Sequence, residues 1–324
     1  VPETAFDGGI LSAETLGRGQ NSASAQGTPA SGAENPAAIN SSNQSSAYTT
    51  VFVGNSSNLS KTQVRNIDPL EDNIVQFLSL TSEQGSIFFE PLGRFNQRQP
   101  LFSNGPSGDF RNVDFSANAI GLAGSTSLGK RGSIGLSLSY LYSSLGYGTY
   151  QSNTLTDFKS DTGDGVRLGF GARYPTGPFL WGLVLNNFPG FLWWQHHSQE
   201  ILPVTIQIGE TWRIYPGFLF SISGETRYYD EGSDRKDYLK IGQEIPLGKT
   251  LILRFGTFGT NLNNPEERHL TGGLTFQGSS GAEISYAFDA FQFENEKIKK
   301  SYLSLRLPFG ESGPESINRG ISYH

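Results

Sequence analysis

Over Gly281–Phe291 the chain reads GAEISYAFDAF, and apolar and polar positions alternate without a break. Ala282, Ile284, Tyr286, Phe288 and Ala290 share one side, and Glu283, Ser285, Ala287 and Asp289 share the other. Successive side chains of a β-strand point to opposite faces, so a period of two predicts a strand with one apolar and one polar face. The pattern recurs along most of the chain. It predicts strands beginning near Ser46, Asn73, Gly85, Val113, Gly132, Asp164, Phe179, Leu202, Phe218, Asp237, Thr250, Arg268, Gly281 and Lys300. That is about fourteen, an even number of the kind single-chain bacterial barrels have.

Alternation alone fits two architectures. The apolar face is the core of a soluble sandwich, or the lipid-facing outside of a membrane barrel. The connections separate the two. Short links at 82–84, 129–131, 175–178, 215–217, 248–249 and 278–280 alternate with longer ones at 55–72, 93–112, 147–163, 189–201, 230–236, 260–267 and 292–299, rich in Asn, Ser, Asp, Gln and Gly. Tight turns on a periplasmic rim and long polar loops on an extracellular rim require this parity, whereas a sandwich has no reason to sort its loops. Aromatic residues also gather near strand ends, as in FLWWQ around Trp193 and Trp194, where a girdle meets the headgroups. The fold predicted is all-β: a closed antiparallel transmembrane β-barrel over 46–309, with both termini on the periplasmic side.

The faces can then be assigned. Ile134, Leu136, Leu138, Tyr140 and Tyr142 point outward, as do Val166, Leu168, Phe170, Ala172 and Tyr174, then Leu251, Leu253 and Phe255, then Leu303, Leu305, Leu307 and Phe309. The lumen face receives Arg167, Arg173, Arg213, Glu225, Arg227, Lys240, Glu244, Arg254, Glu283, Asp289 and Arg306. Interleaved charges of both signs describe a salt-bridged interior rather than a greasy channel. Two places break the pattern. Val113, Phe115, Ala117 and Ala119 change phase to Ile120 and Leu122, which a bulge near Ala119 would accommodate. Glu210 falls on an apolar face, tolerable near an interface.

Composition narrows the class further. The 324 residues include 40 Gly, no Cys and no Met, with a mean hydropathy of −0.35. No run approaches the about 18 consecutive apolar residues of a spanning helix. A start at VPETAFDGG without Met is read as a chain that has lost a signal peptide. The absence of Cys removes disulfides and thiolate chemistry. A net charge of −6 gives no reason to expect nucleic acid. Of four His, His196 and His197 are adjacent in a predicted loop, His324 is terminal, and His269 begins a strand where it is placed to meet a carboxylate. No Ser/His/Asp set, metal-ligand spacing or phosphate loop is visible, so the chain is read as a non-enzyme without cofactor or metal.

Residues 1–45 are rich in Gly, Ser, Ala, Asn and Gln and lack alternation. The stretch LGRGQNSASAQGTPASGAENPAAINSSNQSSAYTTVFVG, running from this segment into the first strand, resembles the N-terminus of the long-chain fatty acid transporter (FadL) superfamily. There a Gly/Ala-rich segment closes in Asn-Pro-Ala before the first strand, here Asn35, Pro36 and Ala37. GLVLNNFPG followed by ILPVTIQIGETWRIYPGFLFSISGETRYY resembles the PorV branch, and the closing strands agree in order and spacing. The resemblance implies a plug or hatch formed by 1–45 inside the barrel and a site in the bacterial outer membrane. It also implies passage of hydrophobic molecules through the hatch, sideways out of the wall or into the periplasm. Phe188, Phe191, Trp193 and Trp194 are the candidate ligand or loop contacts, with membrane anchoring as the other reading of the same residues. The alternative function is a PorV-like barrel that holds a partner protein by its extracellular loops or its periplasmic side. Residues 310–324 form a tail beyond the last strand.

Overall fold

The computed structural model describes residues 9–24, 27–41, 45–56, 74–101, 109–129, 131–215, 217–229, 235–293 and 296–309. The tail at 310–324, and most of the long connections predicted at 55–72 and 230–236, lie outside the described residues. Short helical pieces come first: α1 (Ala13–Gly17), α2 (Ser31–Glu34) and a 3-10 turn at Pro36–Ser41. Strands follow as β1 (Ser46–Ser56), β2 (Val75–Thr81), β3 (Gly85–Pro100), β4 (Phe110–Leu128), β5 (Gly132–Gln151), β6 (Thr154–Thr176) and β7 (Phe179–Trp194). The rest are β8 (Glu200–Ile201), β9 (Val204–Tyr215), β10 (Phe218–Tyr228), β11 (Arg235–Leu247), β12 (Leu251–Gly259), β13 (Arg268–Gln277), β14 (Glu283–Phe293) and β15 (Glu296–Pro308).

Among the described residues these fifteen strands form one antiparallel sheet. β1 pairs with β15, β7 pairs with both β6 and β9, and the sheet thereby closes on itself. β8, two residues long, adds only to the edge of β7. A closed sheet leaves no unpaired edge, which a lipid environment requires. The outward faces are as the alternation predicts: Leu136 is 65% exposed and Ile284 49%, while their neighbours Ser137 and Ser285 are buried. Among the described residues no helix is long and apolar enough to cross a membrane.

The long-loop rim differs from the expectation. The stretch 147–163 is strand on both sides of a two-residue turn at Ser152 and Asn153, whose φ angles are 48° and 62°. Positive φ at both central residues is the geometry of a tight hairpin turn. Most of 93–112, 189–194 and much of 292–299 are likewise strand. β5 and β6 run for 20 and 23 residues, well past the roughly 9–11 that cross the bilayer. Beyond the lipid neither face needs to be apolar, so the backbone ladder continues while the alternation that signals a strand disappears. Residues 151–160 are exposed on both faces.

The bulge is also elsewhere. β4 pairs with β5 without interruption from Phe110↔Tyr150 to Leu128↔Gly132, straight through Ala119. The irregularity lies on the facing strand, between Pro91 and Gly93 of β3, leaving Leu92 as the extra residue. β4 keeps its phase throughout. Val113, Phe115, Ala117 and Ala119 are buried on the lumen side, and Ile120 and Leu122 face outward.

Candidate functional site

The N-terminal segment lies against the polar faces of strands from all round the barrel. Ser12 caps α1 by accepting from the Thr15 amide at 3.0 Å. The Ala13 amide donates to Ser304 Oγ at 3.0 Å on β15, and Ser285 Oγ on β14 donates to Glu14 Oε1 at 2.6 Å. Tyr48 Oη on β1 donates to Glu14 Oε2 at 2.5 Å. Ser79 and Thr81 on β2 donate to the Pro29 carbonyl, and Ser133 on β5 to that of Ala37. Lys240 on β11 donates to the Gln20 carbonyl at 3.3 Å. A segment too polar to build a core finds hydrogen-bond partners on these walls.

Cross-strand glycine pairs bring its backbone against the wall. Gly135 on β5 faces Gly171 on β6, and the Asn35-Pro36-Ala37 backbone lies over both. Gly182 faces Gly209 with Ala23 and Ser24 above them, and Gly242 faces Gly256 beneath Arg18 and Gly19. Asn35 is 1% exposed; its Nδ2 donates to the Ala23 carbonyl at 2.7 Å and its Oδ1 accepts from the Ala37 amide at 3.1 Å. The three residues singled out in sequence are thus brought together on one wall. The glycines that receive them were not singled out.

All eleven predicted charges sit on lumen-side positions of their strands. Glu225 pairs with Lys240 at 2.6 Å and with Arg227 at 2.7 Å, and Arg254 with Glu244 at 2.8 Å. Arg306 pairs with Glu283 at 3.2 Å, and Asp289 with His269 at 2.9 Å. Arg167 pairs with Glu90. Arg173 is buried, and Arg213 is exposed near the short-turn end of β9. Glu244 also meets Arg18 of the N-terminal segment at 3.7 Å. Glu210 lies on the outward face near that same end, between Ile208 and Trp212 in the alternation.

The charges do not fill the lumen. On β3, β4, β5 and β7 the inner face carries Leu92, Val113, Phe115, Ala117, Ala119, Leu141, Leu145, Leu192 and Trp194, closed over by Leu202. Leu202 follows β8 and is held by its amide donating to the Gly190 carbonyl at 3.0 Å. This apolar sector was not recognised in the sequence, although the change of phase in β4 is its signal: apolar residues on both parities mean an apolar stretch of inner wall.

The four aromatic candidates divide across the wall, and they stand on strand β7 rather than in a loop. Trp194 is buried in the apolar sector, with its ring centroid 6.4 Å from that of Phe115. Phe188 and Trp193 are exposed, and the Phe191 and Trp193 rings lie 5.9 Å apart. At the rim beside Trp194, Asp161 accepts from the His196 and His197 side chains and from the His196 amide at 3.2 Å. Among the described residues no three His, Cys, Asp or Glu come together as a metal site.

β2 pairs with β3 only from Leu78↔Phe89 to Thr81↔Ser86, although β3 runs on to Pro100. Among the described residues the last pair of this ladder, Leu78↔Phe89, lies three residues before Leu92, where β3 bulges against β4 and joins the apolar sector. Outside, Leu78, Leu80, Ile87, Phe89, Ile120 and Leu305 line an apolar groove of about 470 Å³.

Inside, a cavity of about 140 Å³ separates α1 and α2 from the walls of β3, β6, β7 and β9–β11. It is lined by Ile10, Leu11, Leu16, Val184 and Pro203 together with Glu34, Glu90, Arg167, Gln207, Glu225, Arg227 and Lys240. Burial pushes the Glu34 carboxyl up to about 7, against the opposing pull of the Arg18 guanidinium and of hydrogen bonds from Thr15 and Thr28.

A closed membrane barrel whose N-terminal segment is hydrogen-bonded to its inner faces is the class these features define. The fold is that of the FadL-type channels. The structure is similar to the toluene transporter TbuX of Ralstonia pickettii, with a TM-score of 0.63 and 13% identity over 94% of this chain and 99% of that one. It is similar to the toluene transporter TodX of P. putida, with a TM-score of 0.64 and 13% identity over 94% and 100%. A FadL homologue of Pseudomonas aeruginosa gives 0.61 and 10% over 93% and 98%. No family profile and no curated protein sequence matches the chain.

Proposed function

We propose that the chain is a channel of the bacterial outer membrane that takes up small hydrophobic molecules and carries them past a plug formed by its first 45 residues. One observation carries this reading: the buried apolar sector around Phe115, Leu141, Leu192 and Trp194 on a wall whose other strands carry ion-paired charges. A lumen that passed only ions or sugars would gain nothing from such a surface, whereas a hydrophobic solute leaves water favourably on reaching it. The solved structures similar in fold include two toluene transporters, which supports the same solute class.

The path runs from the extended-strand rim, past His196 and His197, onto the apolar sector. From there the short β2–β3 ladder and the bulge at Leu92 offer a sideways exit to the outer apolar groove, so the solute need not enter the periplasm. The plug seals the remaining lumen. The alternative of a barrel that anchors a secreted protein draws no support from the similar structures, which are described as transporters and channels.

The test is binding by the purified barrel. An environment-sensitive apolar fluorophore should bind saturably, and Leu141→Asn with Leu145→Asn should abolish the saturable component. Binding unchanged by both substitutions would place the ligand elsewhere.

A further inference from the structure

The cavity between the N-terminal segment and β3, β6, β7 and β9–β11 has a feature that a hydrocarbon path does not use. Among the described residues its wall holds three cations, Arg167, Arg227 and Lys240, and three anions, Glu34, Glu90 and Glu225. Five of the six are paired with one another: Glu90 with Arg167, and Glu225 with both Lys240 and Arg227. Glu34 is the exception. Its Oε2 accepts from Thr15 Oγ1 at 2.9 Å and from Thr28 Oγ1 at 3.3 Å, while its Oε1 has no partner among the described residues.

The balance of charge decides what kind of molecule fits there. The five other wall charges are already paired with one another and offer an ion little attraction, and an ion would surrender its hydration on entry. A neutral molecule with a hydrogen-bond donor would satisfy Glu34 at little cost. Size is set by the volume: about 140 Å³ is close to the roughly 150 Å³ that accommodates one benzene ring in an engineered cavity. Ile10, Leu11, Leu16 and Val184 supply the apolar side on which a ring or short alkyl body would lie.

We infer that this cavity is a binding site for small neutral hydroxyl compounds of about one ring in size, phenol-like molecules, with Glu34 accepting the hydroxyl proton in a hydrogen bond and Ile10, Leu11 and Val184 packing the body. The inference rests on the channel reading for how such a molecule arrives, and it extends the solute class from hydrocarbons to hydroxylated ones. Thr15 and Thr28 are the positioning residues, because their hydroxyls fix the carboxyl plane and leave the other oxygen for the ligand.

Phenol and toluene test it, since they differ in shape by little more than a hydroxyl in place of a methyl. Equilibrium dialysis with the full-length barrel in detergent, corrected for partitioning into empty micelles, should show phenol bound roughly three- to tenfold more tightly than the micelle-corrected toluene. Glu34→Leu should erase that preference and leave toluene binding unchanged, while Glu34→Gln, which keeps an acceptor, should retain most of it. The wild-type comparison stands even if Glu34→Leu does not fold. Equal binding of the two probes, or a preference that survives Glu34→Leu, would overturn the inference. The channel reading is judged separately by toluene uptake into cells, so a barrel that transports toluene without preferring phenol loses this inference alone.

Discussion

Gly135 and Gly171 stand opposite one another on β5 and β6, and the backbone of Asn35-Pro36-Ala37 rests on both. A Cβ on Gly135 would lie 2.3 Å from the Pro36 carbonyl carbon, and one on Gly171 would lie 2.9 Å from the Ala37 amide nitrogen. Backbone cannot swing aside as a side-chain tip can. The glycines therefore act as the seat of the N-terminal segment, and the Asn-Pro-Ala turn as the piece that sits in it.

Filling that seat should lift the segment without breaking the barrel. Gly135→Val favours strand geometry while clashing with Pro36. Because the chain has no Cys, a single cysteine placed at Ala33 reports docking by its rate of labelling. The rate should rise about tenfold in Gly135→Val, equivalent to a loss of roughly 1.4 kcal/mol of docking. An unchanged rate would mean that the segment is held elsewhere.

The lipid face makes a second prediction. Leu136→Arg and Ile284→Arg put a charge where the outward face meets acyl chains, at a cost of roughly 2–4 kcal/mol near the midplane. Phe158→Arg, on the exposed extension of β6, should cost less than about 1 kcal/mol. Denaturant titration of the folded barrel in lipid measures all three. Ser285 is no neutral control despite its polar face, since it is buried and donates to Glu14. Equal costs at Leu136 and Phe158 would mean that the apolar band is not in lipid.

Glu34 gives the docked segment a pH dependence. Burial raises its carboxyl from the ordinary value to about 7, with Glu14 adding to the rise and Arg18, Thr15 and Thr28 opposing it. A group whose folded value lies above its unfolded one contributes fully below the unfolded value, and loses that contribution as pH rises through the folded one. Docking should therefore be tightest near pH 4.5 and weaken up to about pH 7, levelling off beyond. Labelling at Ala33→Cys should accelerate over that interval after correction for thiol ionisation, and Glu34→Gln should flatten the profile. A profile that Glu34→Gln leaves unchanged would assign the dependence to another group.

Much of this architecture was legible because lipid imposes alternation. Leu136, Leu168, Ile284 and Leu303 announce their strands, and Arg254 and Glu244 their inner face. What escaped reading lies where that constraint ends. The β5–β6 hairpin beyond the bilayer is polar on both faces, so Thr154–Ser160 looked like a loop. The apolar stretch at Phe115 looked like a bulge in β4, because an apolar inner wall cancels the contrast between faces. The glycine pairs were silent, since Gly171 owes its place to Asn35, more than a hundred residues away in sequence. Which carboxyl is buried far enough to be pushed up despite a nearby guanidinium, as Glu34 is beside Arg18, depends on the lumen assembling around it.

Uptake of radiolabelled toluene by intact cells bearing lipopolysaccharide is the most direct test of the channel. That outer leaflet slows the free entry of hydrocarbons, so a channel shows as added rate. Cells producing the full chain should take up toluene faster than cells without it and with saturation, and Leu141→Asn together with Leu145→Asn should return the rate to background while the folded barrel stays in the membrane. Uptake by wild-type cells no faster than that of cells lacking the protein would contradict the account.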